Sequence, residues 1–428
     1  MEFPIERFEL DNGLRVVLSE EPSQPVVAVN LWYNVGSRNE RPGRTGFAHL
    51  FEHMMFQGSE HVPDTQHIAH IERVGGSMNG STWLDRTNYF ETVPANRLEL
   101  ALWLESDRMG FFIPALTQAK LDNQRDVVKN ERRWRVDNQP YGDWDERIQA
   151  MVYPPDHPYH HSVIGSMEDL DAATLADVRT FFETYYAPNN AVLTICGDFD
   201  RREALALVEK YFAGILRGPV PPPIPGRPEL PPKLAGQVVE TVEAAVGLPR
   251  VYAAFRIPPY GDPRFYQADV VTQVLTSGKS SRLYDSLVRR KRLAQSVVGF
   301  AFPIVTGASI ALVWATASPE TPLEKLEAEL WSELELLRTA GCRAEETERV
   351  ITGIAARHLV SLQRVGERAD QISMFTTLFD DPETINTELD RYRAVDAALA
   401  TELAAEYFVS DNSVVLRYLP RSERKEAA

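Results

Sequence analysis

One stretch near the middle of the chain fits neither a helix nor the interior of a sheet. In Arg217-Gly218-Pro219-Val220-Pro221-Pro222-Pro223-Ile224-Pro225, continued by Pro231-Pro232, the prolines have no N–H for a ladder and a fixed φ, so the stretch reads as a stiff extended linker. It divides a chain of 428 residues into halves of roughly 200 residues, each large enough to bury its own core. The expected organisation is a first domain over 1–216, a linker over 217–235 and a second domain over 236–428.

The two halves echo one another. Tyr186-Ala187-Pro188-Asn189-Asn190-Ala191-Val192-Leu193 matches Phe408-Val409-Ser410-Asp411-Asn412-Ser413-Val414-Val415 at an offset of 222 residues. Each copy reads as a helix end turning into a strand. The same offset lays Val29–Val35 over Val251–Ile257, two apolar, β-branched and aromatic runs that read as strands. Amphipathic stretches such as Leu98 to Met109 and Glu320 to Arg338 supply helices. The fold class expected is α+β: an internal duplication with two related domains, each a largely antiparallel sheet packed with helices.

In the first half, Phe47-Ala48-His49-Leu50-Phe51-Glu52-His53-Met54-Met55-Phe56 reads as a helix closed by Gly58. His49, Glu52 and His53 then share one face at i, i+3 and i+4. Two neutral imidazoles one turn apart can grip a metal ion, while the carboxylate beside them takes a proton from its water. This is the inverted zinc-peptidase helix, His-x-x-Glu-His. The competing interpretation is a solvated polar face on a helix that Leu50, Phe51, Met54, Met55 and Phe56 already justify. The repeat weighs against it: Val271, Val274 and Leu275 stand opposite His49, Glu52 and His53, so packing is satisfied by apolar residues there. A third ligand must come from elsewhere. Glu131 is the best candidate, on a helix whose buried stripe includes Val127 and Val128, and Asp126 is its rival. The other histidines, His61, His67, His70, His157, His160, His161 and His358, have no equivalent paired acid and read as surface or core.

Composition removes several function classes. No apolar run approaches the ~18 residues of a membrane helix. A net charge of −16 disfavours nucleic acid. Cys196 and Cys342 are too few for a disulfide framework or a thiolate zinc cluster. The start, Met1-Glu2-Phe3-Pro4-Ile5-Glu6, has no apolar stretch, which favours the cytoplasm, or the periplasm if a leader was removed.

These residues resemble the pitrilysin or insulinase-type metallopeptidases, in particular the short processing-peptidase-like subunits of bacteria. The resemblance runs through Asp11-Asn12-Gly13-Leu14, Gly43-Arg44-Thr45-Gly46, His49-Leu50-Phe51-Glu52-His53 and Gly75-Gly76-Ser77-Met78-Asn79-Gly80-Ser81-Thr82. It continues in Asp85-Arg86-Thr87-Asn88-Tyr89, Arg125–Glu131, Tyr186–Asn190 and Ser280-Ser281-Arg282-Leu283-Tyr284. It implies one Zn2+ per chain on His49, His53 and Glu131, with Glu52 as the base, and a fold like that of mitochondrial processing peptidase. Gln124 stands where the family usually has a second glutamate, a position near the metal where hydrogen bonding survives and charge does not. Active members carry an arginine and a tyrosine where this chain has Val288 and Gln295; Arg289 sits one residue away.

The expected activity is hydrolysis of peptides or unstructured polypeptides. The segment from Gly75 to Tyr89 reads as a glycine-entered edge strand to which substrate adds as another strand, at Asn79, Gly80 and Ser81. The bland alternative is a Gly-Gly turn with Asn79 as a turn residue. The incomplete second half implies a heterodimer with a related subunit that supplies the Arg/Tyr pair, or otherwise a homodimer. The rival class is a non-catalytic structural or assembly subunit of the same fold.

Overall fold

Successive side chains of a strand point to opposite faces, so the run Val26–Tyr33, buried along nearly all its length, needs cover on both sides. The computed structural model, which describes residues 2–421, provides it. The first sheet comprises β1 (Glu6–Glu9), β2 (Arg15–Glu20), β3 (Val26–Tyr33), β4 (Ser77–Thr82), β5 (Thr87–Pro94) and β6 (Ala191–Gly197), in the order β1-β2-β6-β3-β5-β4. On one face Val27, Val29, Leu31 and Tyr33 of β3 join a large apolar core. On the other, Ala28 meets Cys196, Val365 and Ala369.

The second sheet comprises β7 (Val238–Ala244), β8 (Arg250–Ile257), β9 (Ala294–Ala301), β10 (Ser309–Ala317) and β11 (Ser413–Pro420), in the order β7-β11-β8-β10-β9. Set β1 aside and the sheets correspond strand for strand. Each has one parallel pair, β2 with β6 and β7 with β11, and is antiparallel elsewhere. The repeat extends to single hydrogen bonds. Asn190 Nδ2 donates to Tyr185 O (2.8 Å) and Asn34 O (3.4 Å); Asn412 Nδ2 donates to Tyr407 O and Arg256 O, both at 2.8 Å. These partners sit 222 residues apart, so the repeated motif marks the site where an asparagine amide ties a helix end to the central strand.

Five helices matter below: α1 (Phe47–Met54), α2 (Gln118–Arg132), α3 (Trp144–Val152), α4 (Pro263–Thr276) and α5 (Val365–Phe379). Residues 213–237, which include the proline-rich stretch, hold neither helix nor strand. The chain forms two compact units that are interleaved in sequence. One takes the chain up to Arg132 with His161–Pro225 and Arg357–Glu388; the other takes Arg133–His160, Gly226–Ala356 and the chain from Leu389 onward. Helices α3 and α5 are therefore exchanged. α5 covers the outer face of the first sheet, where Asp370 Oδ1 accepts from Trp32 Nε1 (2.9 Å), Asn88 Nδ2 (2.9 Å) and Asn30 Nδ2 (3.2 Å). α3 covers the second sheet, where the Trp144 ring stacks on Tyr252 with centroids 5.6 Å apart. A contiguous division at the linker misses these helices, because each sheet draws cover for one face from the other half of the sequence.

Candidate metal centre

Helix α1 is built to present its polar face. Leu50, Phe51 and Met54 are buried, and Phe51 packs on Tyr186 with ring centroids 4.2 Å apart. The helix ends at Met54, four residues before Gly58, which instead shapes the following turn at φ 90°. Its start is fixed by a close crossing. Gly46 has φ 84°, and a Cβ there would lie 2.6 Å from Ile164 O; a Cβ on Gly165 would lie 2.3 Å from Gly46 N. The first-turn donors are met by Glu40, whose carboxylate accepts from Gly46 N–H (2.9 Å) and Ala48 N–H (2.7 Å). Burial pushes the Glu40 carboxyl well up, and those two backbone donors work against it.

The structure brings together three donors named from the sequence. His49 Nε2 and His53 Nε2 lie 3.3 Å apart, and Glu131 Oε2 lies 3.2 Å from His53 Nε2 and 3.7 Å from His49 Nε2. A tetrahedral ion with bonds of about 2.0–2.1 Å sets its donors roughly 3.3 Å apart, so these residues fit zinc. Among the described residues this is the one group of three or more His, Cys, Asp or Glu side chains with converging donor atoms. Of the two acids the sequence left open, Glu131 reaches the imidazoles and Asp126 is exposed. Leu121, Gln124 and Val128 are the buried residues of α2, at helical spacing from Glu131. Val127, expected beside Val128 in the stripe, is instead 40% exposed, because neighbours on a helix point about 100° apart.

Glu52 is half-buried beside this group, and its Oε2 accepts from Thr82 Oγ1 at 2.6 Å. Burial raises its carboxyl, opposed by the Thr82 bond and by the charges of His53 and Arg86. Thr82 ends β4, the outer strand of its sheet, as the glycine-entered segment suggested. Asn79 is exposed on that strand and its Oδ1 accepts from Gly80 N–H (2.9 Å). A Cβ on Gly80 would meet the Phe56 ring at 3.1 Å. Ser81 Oγ donates to Asn88 Oδ1 at 2.7 Å.

Sequence reasoning gave no role to Thr82 or Glu40. Strand parity could have found Thr82, which shares the inward side with Met78 and Gly80. Glu40 carries no such signal: it caps from outside the usual capping-box spacing. The remaining histidines serve elsewhere. His67 is buried and pushed down to about 2, by burial and then by Arg108 and His70, while exposed His61 bonds Asp107 at 2.6 Å.

Helix α4 of the second unit presents no such face. Val271, Val274 and Leu275 of α4 are wholly buried. Val288 lies half-buried in the π-helix Tyr284–Arg290, and Gln295 is exposed on β9, the outer strand of its sheet. Arg289 is ion-paired with Asp285, which also holds Arg290 at 2.8 Å. Arg282 instead serves structure, donating to both Glu346 oxygens (2.9 and 2.6 Å) and to Gly341 O (2.6 Å).

The chain is similar to known proteins along most of its length. A family model described as Insulinase (Peptidase family M16) matches residues 15–153, and one described as Peptidase M16 inactive domain matches 172–354. The chain is 29% identical to the zinc protease PqqE of Helicobacter pylori over 97% of its own length and 93% of that protein's. The crystal structure of a protease from Helicobacter pylori superposes with a TM-score of 0.90 at 28% identity, covering 98% of this chain and all of that one. The periplasmic protease PqqL of Escherichia coli matches in fold, with a TM-score of 0.77 at 18% identity; 97% of this chain covers 47% of it, so this chain is about half its length. No described helix is long and apolar enough to cross a membrane. With two M16-type units in sequence and in space, the chain belongs to peptidase family M16, the insulinase or pitrilysin family.

Proposed function

We propose that the chain is the metal-carrying subunit of a zinc-dependent endopeptidase, with His49, His53 and Glu131 as ligands and Glu52 as the base. The observation that supports this most directly is the convergence of two Nε2 atoms and one carboxylate oxygen at 3.2–3.7 Å, beside a carboxylate anchored on an outer strand. Zinc held there would supply a Lewis acid to polarise the scissile carbonyl and to lower the pKa of the attacking water toward about 7. Glu52 takes the proton of that water and passes it to the leaving amine. β4 receives an unstructured polypeptide as an added strand, with Asn79, Gly80 and Ser81 against its backbone. Gln124, buried one heptad before Glu131 on α2, supports the metal-bearing face.

The partner is a second, related chain that brings the Arg/Tyr pair. Val288 has no side-chain donor, Gln295 offers only a neutral amide in place of a charged or phenolic donor, and Arg289 is committed to Asp285. Removing one oxyanion donor costs about 2.7–4 kcal/mol, so a chain without a suitable partner turns over slowly. The test is a set of single variants. Glu52→Gln retains one zinc per chain and loses hydrolysis, whereas His49→Ala, His53→Ala and Glu131→Ala each lose zinc. A wild-type chain without stoichiometric zinc would instead mark a structural or assembly subunit.

A further inference from the structure

We propose that Thr82 is a positioning residue for the base, so that the strand receiving substrate also aims Glu52. This rests on the reading of Glu52 as the base. An ionised carboxylate has only acceptors, so at 2.6 Å the Thr82 hydroxyl proton is directed to Glu52 Oε2. One carboxylate oxygen is thereby tied, and the other is left for proton transfer.

Thr82 is itself firmly held. On the inward side of β4, Met78 packs against the core and Gly80 lies against the Phe56 ring just past α1, so the strand runs across the end of the metal helix. On the outward side, Arg86 Nη1 donates to Ser81 O at 2.8 Å and to Asn88 Oδ1 at 3.1 Å. Asn88 Nδ2 in turn donates to Asp370 Oδ1 at 2.9 Å. Thr87 Oγ1, bonded to Val35 O at 2.9 Å, stands 3.4 Å from Thr82 Oγ1. A continuous set of contacts therefore links Asp370 of α5 through Asn88, Arg86 and Ser81 to Thr82 and Glu52. Asp370 lies more than three hundred residues after Glu52, so the second half of the sequence helps to orient the base.

The experiment compares Thr82→Val, which keeps the shape and removes the hydroxyl, with Thr82→Ser, which keeps the hydroxyl. Both are assayed in the assembly in which the wild-type chain turns over. The Val variant is expected to lose about tenfold to a hundredfold in kcat with KM within about twofold, the scale of a hydrogen bond to a charged group. Zinc stays stoichiometric, and the Ser variant recovers most of the rate. Crystal structures of the zinc-loaded chains give a readout independent of activity: the Glu52 carboxylate leaves its position in the Val variant and keeps it in the Ser variant. Wild-type kcat in Thr82→Val, an unmoved Glu52, or loss of zinc would overturn the proposal. Should the Val variant not fold, Thr82→Ala takes its place with the same expectations. Glu52→Gln separates the two ideas: an active Gln variant would overturn the base assignment itself, whereas a dead Gln variant with a fully active Thr82→Val would overturn only the positioning role.

Discussion

Helices α1 and α4 occupy equivalent places in the repeat, yet one carries His49, Glu52 and His53 while the other buries Val271, Val274 and Leu275 completely. Each lies in its own unit, between a strand and a neighbouring helix in the order of a common fold. The comparison separates what the architecture requires from what has been added to it. Apolar residues satisfy the packing at these positions. Polar side chains there need exposure, partners or an ion to offset their desolvation, and α1 has them in Glu131 and Thr82.

The sharpest way to break that comparison is to move the polar set. Val271→His, Val274→Glu and Leu275→His together should prevent the second unit from folding, since even Val274→Glu alone buries an unpaired carboxyl at a cost of at least about 4 kcal/mol. Cooperative thermal unfolding at the wild-type temperature would show that α4 tolerates what α1 carries. The reverse exchange is the gentler perturbation to the fold and the complete one to the site. His49→Val, Glu52→Val and His53→Leu should bind no zinc and hydrolyse nothing, yet melt within about 3 °C of the metal-free wild type. A variant that no longer folds would make the polar triplet part of the scaffold.

A third test addresses the Arg282 clamp of the second unit, since the offset puts Glu60 at the equivalent position of the first. Arg282→Ala should cost about 1.5–3 kcal/mol by removing one of the two arginine partners of buried Glu346 and leaving it to Arg343 alone. Burial raises the Glu346 carboxyl, but the bonds from Arg282 and Arg343 outweigh it and hold the group down to about 2. Its folded value therefore lies below the unfolded carboxylate value of about 4.3. The stabilisation is fully present above that value and is lost as pH falls toward about 2. Denaturant midpoints followed from pH 6 down to about 2 should show this loss in the wild type and a smaller one in the variant, which keeps the Arg343 bonds. The smallest effect tests the equivalence itself. Asn190→Ala and Asn412→Ala remove matching hydrogen bonds, and each should cost about 1–2 kcal/mol by leaving buried carbonyls unmet. Costs that differ by more than about 1 kcal/mol would limit the equivalence of the halves to backbone geometry.

The site was legible in the sequence to the extent that its geometry is local. His49, Glu52 and His53 share a face because a helix repeats every 3.6 residues, and that spacing is written in the chain. Glu131 was harder: it and Asp126 offer the same chemistry five residues apart, and only the approach of α2 to α1 brings one of them to the imidazoles. Val127 shows the same limit, because two adjacent valines cannot both face inward and local pattern does not say which one does. Gly58 looked like a helix stop, whereas the helix ends at Met54 and Gly58 turns the chain against Val62 O.

By itself the sequence determined the duplication, the proline-rich stretch without helix or strand, the largely antiparallel α+β halves and the polar face of α1. Periodicity, proline and a fixed offset are all properties of short stretches of chain. Only the tertiary structure decided that α3 and α5 change places, because a strand apolar on both faces states that it needs cover without naming the helix that provides it. The same holds for the buried cap of Glu40 on α1 and for the hydroxyl of Thr82 on Glu52. Both join residues whose separation in sequence follows no secondary-structure period, so their pairing exists only once the sheet and helices have packed.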